Sequence, residues 1–200
     1  MHLKREIHTF LVYFFTFSFA VLVTSLFAAG GCTHSGIGDP CIPEQEYNPN
    51  FTGFSEGEVS VESASMDCPS RACLVHHFRG RTTCPYGQNE QGKAPDGQTS
   101  CKVPNSETPV AGGVCSQCKD RTADKAVYCS CRCANVYGKT NDGANYCECP
   151  KGFVCQQLIN SIGPSDVGLT GGYCIRAGTE YLPHKSCLQS LAADEMKCGA

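Results

Sequence analysis

The chain has 200 residues, a formal net charge of −3, no Trp, 21 Gly, 11 Pro and 17 Cys. Its length suits one domain or two small ones, and the slightly acidic balance without a basic stripe argues against nucleic acid as a partner. So many cysteines exclude an ordinary reduced cytosolic chain and point to a disulfide framework formed in an oxidising compartment.

Residues 1–31 read as an export signal. Lys4 and Arg5 form a positive start, an uncharged Phe-, Leu- and Val-rich run extends from Phe10 to Ala29, and small residues then lead into Cys32. This order, ending in Phe27-Ala28-Ala29-Gly30-Gly31-Cys32, resembles a bacterial lipoprotein signal. In that family cleavage falls just before a cysteine whose sulfur carries diacylglycerol, so the resemblance implies lipid attachment at Cys32. Setting Cys32 aside from the 17 leaves an even set of cysteines for pairing. Two other readings stay open. One is an uncleaved spanning anchor, since about 20 apolar residues cross a bilayer. The other is a secretory signal cut near residues 28–30, with Cys32 an ordinary thiol.

Residues 32–40 form a short tether, and 41–200 the disulfide-stapled body. So short a tether holds the body close to the membrane. Glu58-Val59-Ser60-Val61-Glu62-Ser63 alternates polar and apolar residues, the pattern of a half-buried strand. A second short strand is expected over 73–79. Residues 86–113 read as a long polar loop tacked down by Cys101.

Tyr128-Cys-Ser-Cys-Arg-Cys133 and Tyr146-Cys-Glu-Cys149 repeat one phrase on either side of Asn141-Asp142-Gly143, a turn signal. Strand alternation predicts an antiparallel hairpin with Cys129, Cys131, Cys133, Cys147 and Cys149 lining its inner face. Tyr128, Ser130, Arg132, Tyr146 and Glu148 then lie outside, with Arg132 and Glu148 paired across the strands. From Ser186 onward, Leu188, Leu191 and Ala192 fall at helical spacing and Gly199 suits a C-cap. Cys187 and Cys198 would sit about 16 Å apart along such a helix, too far to bond each other, so each would pin it to the body.

Chemically suggestive motifs have plainer readings. Cys115-Ser-Gln-Cys118 is a CxxC, but neither a thioredoxin-like βαβ pattern nor a helix start accompanies it, so two half-cystines in different bridges are expected. The Cys129–Cys133 cluster has the spacing of a thiolate metal site, yet export favours oxidised sulfur. His76 and His77 would point to opposite faces of a strand and so not share a metal. Cys147-Glu-Cys-Pro-Lys-Gly-Phe-Val-Cys155 resembles the tail of an EGF-like module over nine residues. The upstream spacing departs from that family, and the likeness is read as convergent. Zinc-protease and phosphate-loop motifs do not occur in the chain.

The expected fold is therefore a small disulfide-rich domain, mainly β with irregular loops and a short C-terminal helix. The expected half-cystines are Cys41, Cys68, Cys73, Cys84, Cys101, Cys115, Cys118, Cys129, Cys131, Cys133, Cys147, Cys149, Cys155, Cys174, Cys187 and Cys198, with pairing open. As a whole the chain resembles cysteine-rich lipoproteins of unknown function in Gram-negative bacteria, on residues 1–32 and its cysteine density. The resemblance implies a lipid-anchored, extracytoplasmic place in the envelope, and Thr33 after the lipid cysteine implies the outer membrane. No catalytic residue, metal or cofactor is expected. The leading expectation is a structural or protein-interaction role, with the membrane and another envelope protein as partners. The alternative is a thiol-disulfide or metal-handling protein using Cys115 and Cys118 or the Cys129–Cys133 cluster.

Overall fold

The computed structural model describes residues 36–95, 100–160 and 168–192. The expected signal, Cys32, Cys198 and the end of the expected C-terminal helix lie outside the described residues.

The domain is mainly β, with two small antiparallel sheets, little helix and many disulfides. A single 3₁₀ turn at Glu44–Tyr47 precedes β1 (Val59–Glu62) and β2 (Ala72–His76). A one-turn helix α1 (Ala123–Ala126) leads into β3 (Val127–Ser130) and β4 (Arg132–Ala134), followed by β5 (Phe153–Ile159) and β6 (Gly171–Arg176). The sheet orders are β1-β2-β3 and β4-β6-β5. The central strands carry the least polar segments, Ala-Cys-Leu-Val-His in β2 and Gly-Gly-Tyr-Cys-Ile in β6, because both of their faces are covered. β2 ends before His77, whose φ of 50° lies in the left-handed region and turns the chain out of the sheet.

The first sheet is the middle layer of the fold. One face presents Cys73, Val75, Val127 and Cys129 to Cys41, Phe54, Cys68, Phe78 and Ala126. The other presents Leu74 and Tyr128 to Tyr173 and Ile175 of the second sheet. Registers Cys73↔Cys129 and Leu74↔Tyr128 place these residues on alternate faces.

The structure corrects the expected Tyr-Cys-x-Cys hairpin. Its first phrase divides at Cys131. Residues up to Ser130 pair with β2, while Arg132–Ala134 pair with β6. The second phrase forms no strand and is tied by one backbone bond, Cys147 N–H to the Arg132 carbonyl (3.0 Å), and by disulfides. Because the chain changes sheets at Cys131, strict alternation does not run through it, and Cys129 parts from Cys131 and Cys133. Tyr128 and Ser130, expected outside, are fully buried because the second sheet covers that face. The Ser130 hydroxyl donates to the Cys174 carbonyl, and the Tyr128 hydroxyl accepts from the Arg176 N–H. Arg132 donates through Nε to the Thr170 carbonyl and lies over the Tyr146 ring, rather than pairing with Glu148.

The expected polar loop is folded around one side chain in its described part. Gln88 donates through Nε2 to the carbonyls of Val110 and Gly112, and its Oε1 accepts the Cys101 N–H. Cys84, Cys101, Val103, Val110 and Val114 form a small core beneath it. In the described part of the expected C-terminal helix, residues 186–192 form an extended strap. Lys119 N–H donates to the Gln189 carbonyl and Leu191 N–H to the Gln117 carbonyl, while Cys187 takes a φ of 62° that a helix does not use.

Candidate functional site

The cystines are the dominant chemical feature. Seven bridges join described residues: Cys41–Cys73, Cys68–Cys129, Cys84–Cys101, Cys118–Cys187, Cys131–Cys147, Cys133–Cys155 and Cys149–Cys174. Cys115 is also disulfide-bonded. The two cysteines of the CxxC thus do not bond each other, and Cys118 holds the C-terminal strap through Cys187. Each native bridge contributes roughly 2–4 kcal/mol, mainly by restricting the unfolded chain. So dense a framework indicates an oxidising, extracytoplasmic environment. Among the described residues, no helix is long and apolar enough to cross a membrane.

Three bridges are packed against one another on the second sheet. Cys155 and Cys174 are register partners on β5 and β6. The Cys133–Cys155 bridge crosses the central strand at Gly172, where a Cβ would lie 3.0 Å from Cys155 Sγ and 3.4 Å from Cys133 Sγ. Cys174 Sγ lies 3.7 Å from both sulfurs of the Cys131–Cys147 bridge. Sulfurs also cluster as Cys133/Cys149/Cys155 and as Cys41/Cys68/Cys129, each triple within 4.8 Å. Every sulfur in these triples belongs to a bridge. Metals take thiolates, so these donor sets do not suit a thiolate-bound ion while oxidised.

A second cluster is polar and buried. The kink at His77 brings its ring within 5.1 Å of the His76 ring, edge to face, so the adjacent imidazoles are not directed apart as strand geometry predicts. Arg121 clamps them. Its Nη2 donates to His76 Nδ1 (3.1 Å) and to the His76 carbonyl, and its Nε to the His77 carbonyl. Nη1 reaches the Thr179 carbonyl, and the guanidinium lies over Tyr181, which stacks on His77 at 4.1 Å. Burial, with a smaller contribution from the Arg121 charge, lowers the His76 pKa to about 3. Burial also lowers that of His77, against a raising bond from its ring to the Glu56 carbonyl. The Arg121 cation occupies His76 Nδ1 and repels a metal ion, so this cluster reads as an internal tie between β2 and the segment after β6.

A third cluster fixes the N-terminal loops. Arg81 and Glu46 have fully buried side chains, 4.0 Å apart at Nε and Oε2. Arg81 also donates to the carbonyls of Phe51 and Glu46, while the Glu46 carboxylate accepts the N–H groups of Thr82 and Thr83. The sequence does not signal these two residues or Arg121: isolated charges in irregular segments look like surface residues until packing brings carbonyls to them.

No family model, curated protein or solved structure matches this chain.

Proposed function

We propose that the chain is an extracytoplasmic protein anchored to the envelope by lipid on Cys32, with a structural or protein-interaction role. The cysteine inventory carries this reading. The described bridges and the bonded Cys115 account for 15 of the 17 cysteines and leave Cys32 and Cys198. Pairing Cys115 with Cys198 frees Cys32, the cysteine placed where a lipoprotein signal puts it.

The start of the body supports close attachment. Gly38 N–H donates to the Cys129 carbonyl and Cys129 N–H to the Asp39 carbonyl, both at 2.8 Å, so the chain already lies along β3 at residues 38–39. Arg176 Nη2 fastens the Gly38 carbonyl, and Cys41 is bridged to β2. Residues 33–37 are all that separate Cys32 from the first backbone bond to β3, a spacing that suits a body held close to a leaflet. Thr33 directs this proposal to the outer membrane.

The test is metabolic labelling with a radioactive or clickable fatty acid, followed by membrane fractionation, for the natural chain and Cys32→Ser. The natural chain should label and sediment with membranes, and Cys32→Ser should lose the label. Label retained by Cys32→Ser, or membrane retention of an unlabelled, uncut chain, contradicts the proposal.

A further inference from the structure

We propose that the Cys131–Cys147 bridge is a thiol–disulfide exchange site for small anionic thiols, with Cys174 as an internal resolving sulfur. The bridge lines a cleft of about 420 Å³ between the edge of the first sheet and the segment preceding β6. Arg132, Tyr146 and Tyr173 share its lining. The Arg132 guanidinium sits over Tyr146 and donates through Nε to Thr170, while its terminal nitrogens make no hydrogen bond among the described residues. The Tyr146 hydroxyl donates to Asp142, whose carboxylate is also held by Asn135 and the Ala144 N–H. Among the described residues no salt bridge joins that acid to Arg132. A cation in a cleft beside a disulfide favours thiolate chemistry twice: it attracts an anionic thiol, and it stabilises the leaving thiolate.

The exchange balances without an external oxidant. The incoming thiolate attacks Cys147 Sγ, which lies in the strandless segment between β4 and β5. The Cys131–Cys147 bond breaks, and Cys131 leaves as a thiolate. Cys131 then attacks Cys174 Sγ, 3.7 Å away, forming Cys131–Cys174 and expelling Cys149 as the thiolate. The products are a mixed disulfide on Cys147, one new internal bridge and one free thiolate, with no net change in oxidation. Cys149 lies within 4.8 Å of Cys133 and Cys155, so the exchange has a further step open to it along the sulfur cluster.

The site is separate from the lipid anchor and does not depend on it. The test treats the oxidised full chain briefly with reduced glutathione, or with the cationic thiol cysteamine, then quenches with acid, caps free thiols and maps disulfides by peptide mass. The first glutathione adduct should fall on Cys147, together with a Cys131–Cys174 bridge and a capped Cys149. At equal thiolate concentration cysteamine should react about fivefold more slowly, the scale of one partly exposed charge interaction. Arg132→Gln should abolish that preference and Arg132→Lys should keep it, both with the seven bridges among the described residues intact. A first adduct on the exposed Cys155, no Cys131–Cys174 bridge, or equal rates for the two thiols overturns the proposal.

Discussion

Arg121 donates a hydrogen bond across 3.1 Å to Nδ1 of His76, with both residues almost wholly buried. That bond needs an unprotonated imidazole nitrogen, so the fold holds His76 neutral. Protonating it would place two cations together in the interior, where unpaired charge is costly. This relationship gives the domain a pH dependence that its surface does not suggest.

The sign follows from linkage. An unfolded His binds its proton near pH 6.5, whereas folded His76 binds one only at about 3. Between those values the unfolded state holds more protons, so stability falls as pH falls. Urea unfolding with bridges intact should show a decreasing midpoint from about pH 6.5 toward pH 4, amounting to on the order of a few kcal/mol. His76→Gln should flatten that decline. Asp142, whose pKa is lowered to about 2 by bonds from Tyr146, Asn135 and Ala144, acts in a lower window. Its contribution is present above about pH 4 and is lost as pH falls toward 2.

Glu46→Ala should destabilise the domain by about 3–5 kcal/mol, because it leaves the Arg81 guanidinium buried without its carboxylate. It also strips the Thr82 and Thr83 N–H groups of their acceptor. Denaturant midpoints at constant slope check this. A loss below about 1 kcal/mol would mean that water enters and the pair is not sealed.

Gly172→Ala tests the crossing of Cys133–Cys155 over β6. Its Cβ would be within 3.3 Å of the Gln156 carbonyl as well as against both sulfurs. Overpacking of this kind costs typically 1–3 kcal/mol. The expected outcome is that loss together with a higher proportion of mispaired Cys133 and Cys155 on oxidative refolding, read by disulfide mapping. Gly152→Ala, where an added Cβ meets nothing within 4 Å, should leave the pairing unchanged and show only the strain of its positive φ.

Leu74→Ala removes the side chain that joins the two sheets. Leu74 is fully buried in one cluster with Tyr128, Tyr173 and Ile175. A loss of about 2–5 kcal/mol is expected, with the bridges still formed. A loss that small-residue surface substitutions equal would mean that the cystines, rather than this interface, hold the sheets together.

The sequence shows much of the fold through local signals. Alternation at Glu58–Ser63 marks β1, the apolar run after Cys73 marks β2, and cysteine density marks the framework. The plain reading of Cys115 and Cys118 as half-cystines of different bridges also matches the structure. The hairpin misreads long-range pairing: a repeated Tyr-Cys-x-Cys phrase specifies which residues carry sulfur, while partners are chosen by packing across sheets. The C-terminal periodicity of Leu188, Leu191 and Ala192 gives way because the Cys118–Cys187 bridge and the bonds to residues 117–119 lay the described part out as a strap. The Arg121, Arg81 and Glu46 clusters leave no local trace, since their partners are mostly backbone carbonyls and N–H groups from distant segments.

The most direct test of the account is peptide-resolved mass spectrometry of the protein recovered unreduced from the cells that make it. The account predicts an N-terminal Cys32 carrying acyl chains and a Cys115–Cys198 bridge beside the seven bridges described. An unacylated Cys32 joined to Cys115, with Cys198 free, would contradict it.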